Sequence, residues 1–125
     1  MKVTVIGGGS TYTPELVNGF LSRTGSFPVE ELCLMDIDAP RLGIVGGFAR
    51  RMAEAQGSPF EVSLTTDQRE AVSGADYVIT QLRVGMMAAR REDEYLGKRH
   101  NLIGQETTGV GGMAKALRTI PVIVR

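Results

Sequence analysis

A run of three glycines near the start of the chain contains the first residues that could bind a ligand. Gly7 and Gly9 follow a short apolar stretch, and Ser10 and Thr11 lead from them to Pro14, which is well placed in the first turn of a helix. Glycine allows a tight strand-to-helix turn and a close approach of backbone to a ligand. Because N–H groups at the positive end of a helix bind anions, the sequence predicts a pyrophosphate site here.

This turn departs from the usual dinucleotide fingerprint at one position. Tyr12 stands where a third glycine normally lets the helix pack closely against the strand. We therefore expect a wider or longer turn before the helix begins. The alternative is a glycine-rich loop that binds no ligand, because short motifs of this kind also occur by chance.

An acidic residue after the second apolar stretch could complete a nucleotide site. Asp36 lies a little beyond the usual offset of about 20 residues from the glycine turn. Its carboxylate could accept hydrogen bonds from the 2′- and 3′-hydroxyls of a ribose and would repel a 2′-phosphate, which favours NAD over NADP. The alternatives for Asp36 are a turn residue or, with Asp38, a helix cap. Asp38 precedes Pro40 and fits the cap better.

Strand and helix patterns alternate through the first eighty residues. Short apolar runs predict strands, and apolar residues at intervals of three and four predict helices. After the first strand we expect helices over about 14–23 and 41–55, strands over 31–36, 60–64 and 76–80, and a short helix capped by Thr66 or Asp67, with Glu70 in a capping-box position. This order predicts parallel strands with right-handed crossovers, that is, an α/β Rossmann-like doubly wound parallel sheet in truncated form.

The chain changes character after residue 80. Gln81 and Arg83 begin a loop at the carboxyl end of the fourth strand, where ligands bind in such sheets. A charged helix follows, then a polar, glycine-rich loop over 101–112 that contains Glu106, and a final helix over 113–125. Such a loop costs conformational entropy to order, which indicates that something binds there.

The composition argues against several classes of protein. Fourteen basic and fourteen acidic residues cancel among 125, so no net charge attracts nucleic acid or an anionic membrane surface. Cys33, the single cysteine, lies in an apolar stretch and is expected in the core. The N-terminus has no apolar stretch long enough for a signal peptide or a membrane span, so we expect a cytoplasmic protein.

Several longer segments together carry a family resemblance. They are residues 7–16, Met-Asp-Ile-Asp after the second strand, residues 81–85, 89–94 and 116–121, and above all the loop Ile103-Gly-Gln-Glu-Thr-Thr-Gly-Val-Gly-Gly112. In these segments the chain resembles glycoside hydrolase family 4, most closely its 6-phospho-β-glucosidases. The resemblance covers essentially the whole chain.

The resemblance implies NAD-dependent and metal-dependent hydrolysis of a 6-phosphorylated glycoside. NAD⁺ would take a hydride from C3 of the sugar, a base would remove the acidified C2 proton, and the glycosidic oxygen would leave. Water would then add and the hydride return. A divalent metal, expected to be manganese, would polarise the C2 and C3 oxygens. Such enzymes are exceptions to the two-carboxylate mechanism of most glycosidases. We also expect a homo-oligomer at full length.

The resemblance also implies roles for individual residues. Arg90 matches a substrate-binding arginine, which suits a phosphorylated sugar because a guanidinium pairs well with phosphate oxygens. Glu106 matches the catalytic-site carboxylate that raises the basicity of a catalytic tyrosine. Gln81 and Arg83 are expected to line the nicotinamide end of the cofactor site. The pyrophosphate turn is matched by Gly7, Gly9, Ser10 and Thr11, and the ribose ligand by Asp36. Without the resemblance, Arg90 could be part of a solvated helix face and Glu106 a turn residue.

Other family residues have no match in this chain. The metal ligands, a cysteine and a histidine, and the catalytic tyrosine all lie past Arg125 in the matched order, and Cys33 falls inside a strand. We therefore expect residues 1–125 to be the N-terminal dinucleotide-binding domain of a longer enzyme, without metal ligands and inactive alone.

Four alternative functions stay open from the sequence. Two are other activities of the same family, a 6-phospho-α-glucosidase and an α-galactosidase. The third is a stand-alone NAD-binding module, which should bind NAD tightly. The fourth is a hydroxy-acid dehydrogenase domain, against which the Gln-Glu-Thr-Thr-Gly loop argues.

Overall fold

The structure, a computed structural model, describes residues 1–124 and divides into two compact units. The first unit comprises residues 1–82, and the second begins at Arg83. The first contains the strands β1 (Lys2–Ile6), β2 (Glu31–Met35), β3 (Glu61–Thr65) and β4 (Tyr77–Thr80) and the helices α1 (Thr13–Leu21), α2 (Ala39–Ala55) and α3 (Gln68–Val72). The second contains α4 (Met86–Arg99) and α5 (Gly109–Ile123).

The four strands form one parallel sheet in the order β3-β2-β1-β4. Val3 of β1 lies opposite Leu32 on one side and Tyr77 on the other. Helices α1 and α2 pack on one face of the sheet, and α3 packs on the other. The predicted fold class, an α/β Rossmann-like doubly wound parallel sheet, is therefore confirmed.

The core of the first unit lies on both faces of the sheet, because successive strand residues point to opposite sides. One face contributes to the larger cluster with α1 and α2, which includes Val3, Val5, Leu32, Leu34 and Val17. The other face packs on α3 through Ile6, Cys33, Met35 and Ala71. Cys33 is buried there, which confirms that it is a core residue.

Side-chain caps determine where two of the helices begin. Asp38 caps α2, because its carboxylate accepts the Arg41 N–H at 3.1 Å, so α2 begins at Ala39 rather than near Arg41 as expected. Asp67 caps α3 by accepting the Arg69 and Glu70 N–H groups at 2.7 and 3.1 Å. These two predicted caps are confirmed.

The reciprocal half of the predicted capping box at α3 is wrong. The Asp67 N–H donates to the Thr65 hydroxyl oxygen at 3.1 Å, whereas a capping box would have paired it with the Glu70 side chain. The Glu70 carboxylate instead accepts the hydroxyl proton of Thr65. The last residue of β3 therefore takes the place that sequence spacing assigned to Glu70.

The last helix begins earlier than predicted. Helix α5 starts at Gly109 rather than Met113, so Gly111 and Gly112 lie in its first turn. A Cβ at Gly112 would lie 2.7 Å from the Thr107 carbonyl oxygen, and one at Gly111 would lie 2.7 Å from the Asp93 carbonyl oxygen. These glycines let the preceding loop and α4 pack closely on the helix. The expected helix end at Arg125 lies outside the described residues.

No described helix could span a bilayer, since none combines the required length with a sufficiently apolar sequence.

Candidate functional site

The glycine turn between β1 and α1, residues 7–12, forms a tight cradle in the first unit. Gly7 has a φ of +95°, which residues with a Cβ rarely adopt, and a Cβ there would lie 2.9 Å from the Gln81 carbonyl carbon. A Cβ on Gly9 would lie 2.8 Å from Oδ2 of Asp36. The cradle thus closes on the end of β4 and on the residue after β2.

Most of the cradle amides already have acceptors, which limits the donors left for the predicted pyrophosphate site. The amides of Gly7 and Gly8 donate to the Met35 carbonyl oxygen at 2.9 and 2.7 Å. The Ser10 amide donates to the Gly7 carbonyl oxygen at 3.1 Å. Among the described residues the Thr11 amide has no such acceptor, and Thr11 is exposed. The donors left at the cradle are therefore the Thr11 amide and the Ser10 hydroxyl.

Tyr12 fits the prediction of a longer turn. It is 72% exposed and takes the capping position of α1, which begins at Thr13 rather than at Pro14. No side-chain hydrogen bond caps this helix end. The bulky side chain is accommodated because the turn directs it to solvent, and the first helical residue behind it is the small Thr13.

Gln81 holds the cradle from the end of β4. Its side-chain amide donates to the Thr13 hydroxyl oxygen at 2.7 Å and to the Gly7 carbonyl oxygen at 3.2 Å. Thr13 is fully buried, and its hydroxyl donates to the Gly8 carbonyl oxygen at 2.8 Å. Sequence reasoning missed Thr13. The available signal was a small hydroxyl residue directly before Pro14, at the entry to a helix.

Asp36 lies beside the cradle, as the sequence predicts. Its Oδ2 accepts the Gly9 N–H at 2.9 Å, and its Oδ1 accepts the Asp38 N–H at 3.1 Å. The side chain is half-buried, and each carboxylate oxygen keeps acceptor capacity beyond its one backbone hydrogen bond. Two backbone bonds fix the carboxylate in place, and two vicinal hydroxyls could add to it.

The residues of the first unit fit a dinucleotide. A Cβ would fill the space at Gly7 and Gly9, the Thr11 amide is available to an anion, and the Asp36 carboxylate is held beside both. These are a tight turn, a donor for a diphosphate and an acceptor for ribose hydroxyls, which a dinucleotide needs together.

The second unit contains a carboxylate surrounded by three cations. The Arg83 guanidinium makes two hydrogen bonds to Glu106, one to Oε2 and one to Oε1 at 3.2 Å. Arg90 Nε lies 3.5 Å from Oε1 of Glu106, and Lys115 Nζ lies 3.7 Å from Oε2. The Glu106 side chain is only 12% exposed. The structure therefore brings together Arg83, Arg90 and Glu106, and adds Lys115, which sequence reasoning missed.

The charges around Glu106 keep it ionised. Burial raises the pKa of its carboxyl group, but the Arg83 hydrogen bond, the charge of Arg83 and the charges of Lys115 and Arg90 outweigh burial. The pKa of Glu106 consequently lies below its ordinary value. The negative charge of a carboxylate raises the pKa of a neighbouring acidic group such as a tyrosine, and this is the effect that the family resemblance implies for Glu106.

Arg90 is shared between two carboxylates. Its Nε lies 2.9 Å from Oε1 of Glu94, one helical turn along α4, as well as 3.5 Å from Glu106. The neighbouring Arg91 is 68% exposed, whereas Arg90 is 39% exposed. The charged residues of α4 therefore do not all form a solvated face, since Arg90 is less exposed than Arg91 and lies close to Glu106.

A second ion pair lies deeper in the same unit. Arg118 donates to both oxygens of Asp93, at 3.0 and 2.7 Å, and its Nε donates to the Val84 carbonyl oxygen at 2.8 Å. Asp93 is 4% exposed. The hydrogen bonds from Arg118 lower the pKa of Asp93 despite its burial, and the same contact raises the pKa of Arg118. No local sequence pattern indicates this pair, because its members are 25 residues apart.

Among residues 1–124 no group of three or more histidine, cysteine, aspartate or glutamate side chains could hold a metal ion.

The sheet, the glycine cradle and the acidic residue after β2 define a Rossmann-like α/β domain. The chain belongs to the family 4 glycosyl hydrolases, whose family model matches residues 2–125. This confirms the family resemblance of the sequence. A probable 6-phospho-beta-glucosidase of Bacillus subtilis (strain 168) is 52% identical over 126 residues, which are 99% of this chain and 28% of that protein. The chain thus spans little more than a quarter of the curated relatives it matches.

Solved structures of relatives share the fold. The 6-phospho-beta glucosidase of Thermotoga maritima, determined with manganese, NAD+ and glucose-6-phosphate, is 42% identical with a TM-score of 0.89. The match covers 99% of this chain and 30% of that one. A 6-phospho-alpha-glucosidase from gut microorganisms, in complex with NAD and Mn2+, is 40% identical with a TM-score of 0.87, over 98% of this chain and 28% of that one.

Proposed function

We propose that the whole protein hydrolyses 6-phospho-β-glucosides in a reaction that requires NAD and a divalent metal, expected to be manganese. The placement of Asp36 against the glycine cradle carries this proposal. It is supported by the 52% identity to the probable 6-phospho-beta-glucosidase. Residues 1–125 would be the N-terminal dinucleotide-binding domain and supply part of the substrate site.

The cradle residues would bind the cofactor with the donors that remain available. The Thr11 amide and the Ser10 hydroxyl would meet the pyrophosphate, and Gly7 and Gly9 would keep the space through which it approaches. Asp36 would accept the ribose hydroxyls, since its position is fixed by two backbone amides. Bound NAD⁺ would supply the oxidation at C3 of the sugar by taking up a hydride, and the reduced cofactor would supply that hydride again at the end of the cycle.

Gln81 and Arg83 would support the cofactor site through their contacts with other residues. Gln81 would fix the cradle through Thr13 and Gly7. Arg83 is bound to Glu106 and would act through that carboxylate.

Glu106 and Arg90 would serve the substrate. Glu106, kept ionised by its three cations, would raise the basicity of the tyrosine that removes the C2 proton, a residue implied by the family resemblance and lying beyond this chain. Arg90 would bind the phosphorylated sugar, because a guanidinium matches phosphate oxygens in charge and geometry. The metal would be held by residues outside the described part of the chain.

The test uses the full-length protein with NAD⁺ and Mn²⁺. We expect it to hydrolyse p-nitrophenyl 6-phospho-β-glucoside, to lose activity when either cofactor is withheld, and to exchange the C2 hydrogen with solvent deuterium. The non-phosphorylated glucoside is the matched control and should not be hydrolysed. Hydrolysis without NAD, or without exchange at C2, would contradict the proposal.

A second candidate is hydrolysis of the α-linked substrate, because the 6-phospho-alpha-glucosidase from gut microorganisms is 40% identical. The same assay with the α-anomer decides between the two. We further propose that the protein is cytoplasmic, because NAD and sugar phosphates are metabolites of the cell interior. The family resemblance also implies a homo-oligomer at full length.

A further inference from the structure

The buried pair of Asp93 and Arg118 has no part in the proposed chemistry, yet its hydrogen bonds connect three segments of the second unit. Arg118 uses all three nitrogens of its guanidinium, on α4 and on the segment that precedes it. Two of them bind the Asp93 carboxylate of α4, and the third binds the Val84 carbonyl oxygen. We call these three hydrogen bonds the Arg118 clamp.

A buried ion pair of this kind contributes little to stability compared with apolar residues of similar size. Such pairs can instead fix a particular arrangement of chain segments, since their hydrogen bonds have strict geometry. The clamp joins α5, α4 and the segment before α4 in one arrangement. Its contact with Val84 is to the backbone, so it fixes the path of the main chain there.

The Val84 carbonyl is one residue along the chain from Arg83. The guanidinium of Arg83 meets both oxygens of Glu106, a fork geometry that tolerates only small displacements of the backbone that bears it. If the main chain at Val84 shifted, the arginine fork would no longer align with the carboxylate. The clamp and the Glu106 site are therefore mechanically connected within the second unit.

We propose that Arg118 is a positioning residue for Arg83. By holding the Val84 carbonyl it fixes the main chain from which Arg83 reaches Glu106. Arg118 touches neither Glu106 nor any residue assigned here to cofactor binding. The catalytic consequence rests on the proposed function of Glu106, whereas the structural part, the fixing of the segment at residues 83–86, does not.

The main test is a double-mutant cycle in the full-length protein, with kcat/KM for the 6-phosphoglucoside as the readout. We expect Arg118→Met to lower kcat/KM about tenfold or more in the wild-type background, but less than about threefold when Arg83→Met is already present. Arg118→Lys should recover part of the loss, because an ammonium can reach Asp93 or Val84 but cannot reproduce the fork. Equal losses in both backgrounds would overturn the proposal.

Two further variants separate positioning from simple loss of folding. Asp93→Leu with Arg118→Met removes both buried charges along with the clamp; we expect a Tm close to that of wild type and the same coupling to Arg83. Arg99→Met is the matched control, since Arg99 pairs with Glu92 on the surface of α4 at 2.7 Å and is 62% exposed. It should change kcat/KM less than twofold.

Hydrogen exchange tests the structural part independently of activity. In the Asp93→Leu, Arg118→Met protein, peptides covering residues 83–88 should exchange faster than in wild type, and in Arg99→Met they should not. If wild type hydrolyses no 6-phosphoglycoside, the proposed function fails and exchange alone decides the inference. Unchanged exchange at residues 83–88 in the clamp variant would overturn it.

Discussion

At the scale of single residues, the approach of Gly9 to Asp36 determines what the cradle can hold. The Gly9 amide donates to the Asp36 carboxylate, and no space for a Cβ exists between them. The absence of a side chain at Gly9 therefore leaves space for the Asp36 carboxylate as well as for a ligand. The sequence predicts both residues correctly as neighbours, but not the hydrogen bond that joins them, because side-chain direction is not contained in motif spacing.

The first prediction concerns Gly9→Ala in the full-length protein. The new methyl group would lie 2.8 Å from Asp36 Oδ2 and displace the carboxylate. We expect NAD⁺ binding to weaken about tenfold, or ~1.4 kcal/mol, in a calorimetric titration. Gly43→Ala is the control, since a Cβ there meets nothing within 4 Å. Unchanged affinity in Gly9→Ala would argue against a cofactor role for this turn.

The second prediction concerns the choice between NAD and NADP. The Asp36 carboxylate would repel a 2′-phosphate, so Asp36→Ser should weaken NAD⁺ binding and improve NADP⁺ binding relative to NAD⁺ binding. We expect the ratio of the two dissociation constants to move by about tenfold, which is ~1.4 kcal/mol. Asp38→Ser is the matched control, because Asp38 caps α2 through the Arg41 amide and serine preserves a cap. An unchanged ratio would remove Asp36 from the ribose site.

At the scale of elements, the sequence predicts what local patterns can determine. Strands β1 and β2 are short apolar runs buried on both faces, whereas β4 is largely exposed. The caps at Asp38 and Asp67 are predicted from residue type and spacing. The early start of α5 could not be predicted, because Gly111 and Gly112 are normally read as loop residues and become helical only where another chain segment packs against them. The Arg118 clamp could not be predicted from the sequence either, since it depends on how α4 and α5 pack.

The third prediction concerns the pH dependence of the α4–α5 unit. The pKa of Asp93 is lowered in the folded state by its hydrogen bonds to Arg118. Its contribution to the free energy of unfolding is therefore complete above the unfolded-state pKa of about 3.9 and is lost as pH falls below it. We expect Asp93→Asn to cost about 3 kcal/mol at pH 7, and the difference from wild type to shrink below about pH 4.

Urea unfolding between pH 3 and 7 checks this expectation. The neighbouring Glu92→Gln is the control, because the Glu92–Arg99 pair is on the surface and should contribute less than about 1 kcal/mol. A difference between wild type and Asp93→Asn that stays constant through pH 3 would mean that another property of Asp93, and not its charge, stabilises the unit.

At the scale of the whole molecule, the two units carry different parts of the proposed chemistry. The first holds the cradle and Asp36, and the second holds Glu106 with its three cations. The sequence predicts the residues at both places, because the glycine turn and the polar loop are local patterns. It does not predict Lys115, which reaches Glu106 from α5, or the pairing of Arg83 with Glu106 across 23 residues of sequence.

The last prediction concerns the isolated chain of 125 residues. The described part of it contains no cluster that could hold a metal ion, and the resemblance assigns the tyrosine base and the metal ligands to later residues. We expect this chain alone to bind NAD⁺ weakly at most and to release no nitrophenol from p-nitrophenyl 6-phospho-β-glucoside with NAD⁺ and Mn²⁺. The full-length protein, assayed in parallel, is the positive control. Measurable hydrolysis by the short chain would require a base and a metal site within residues 1–125, and would reassign the role of Glu106 from tuning a base to acting as one.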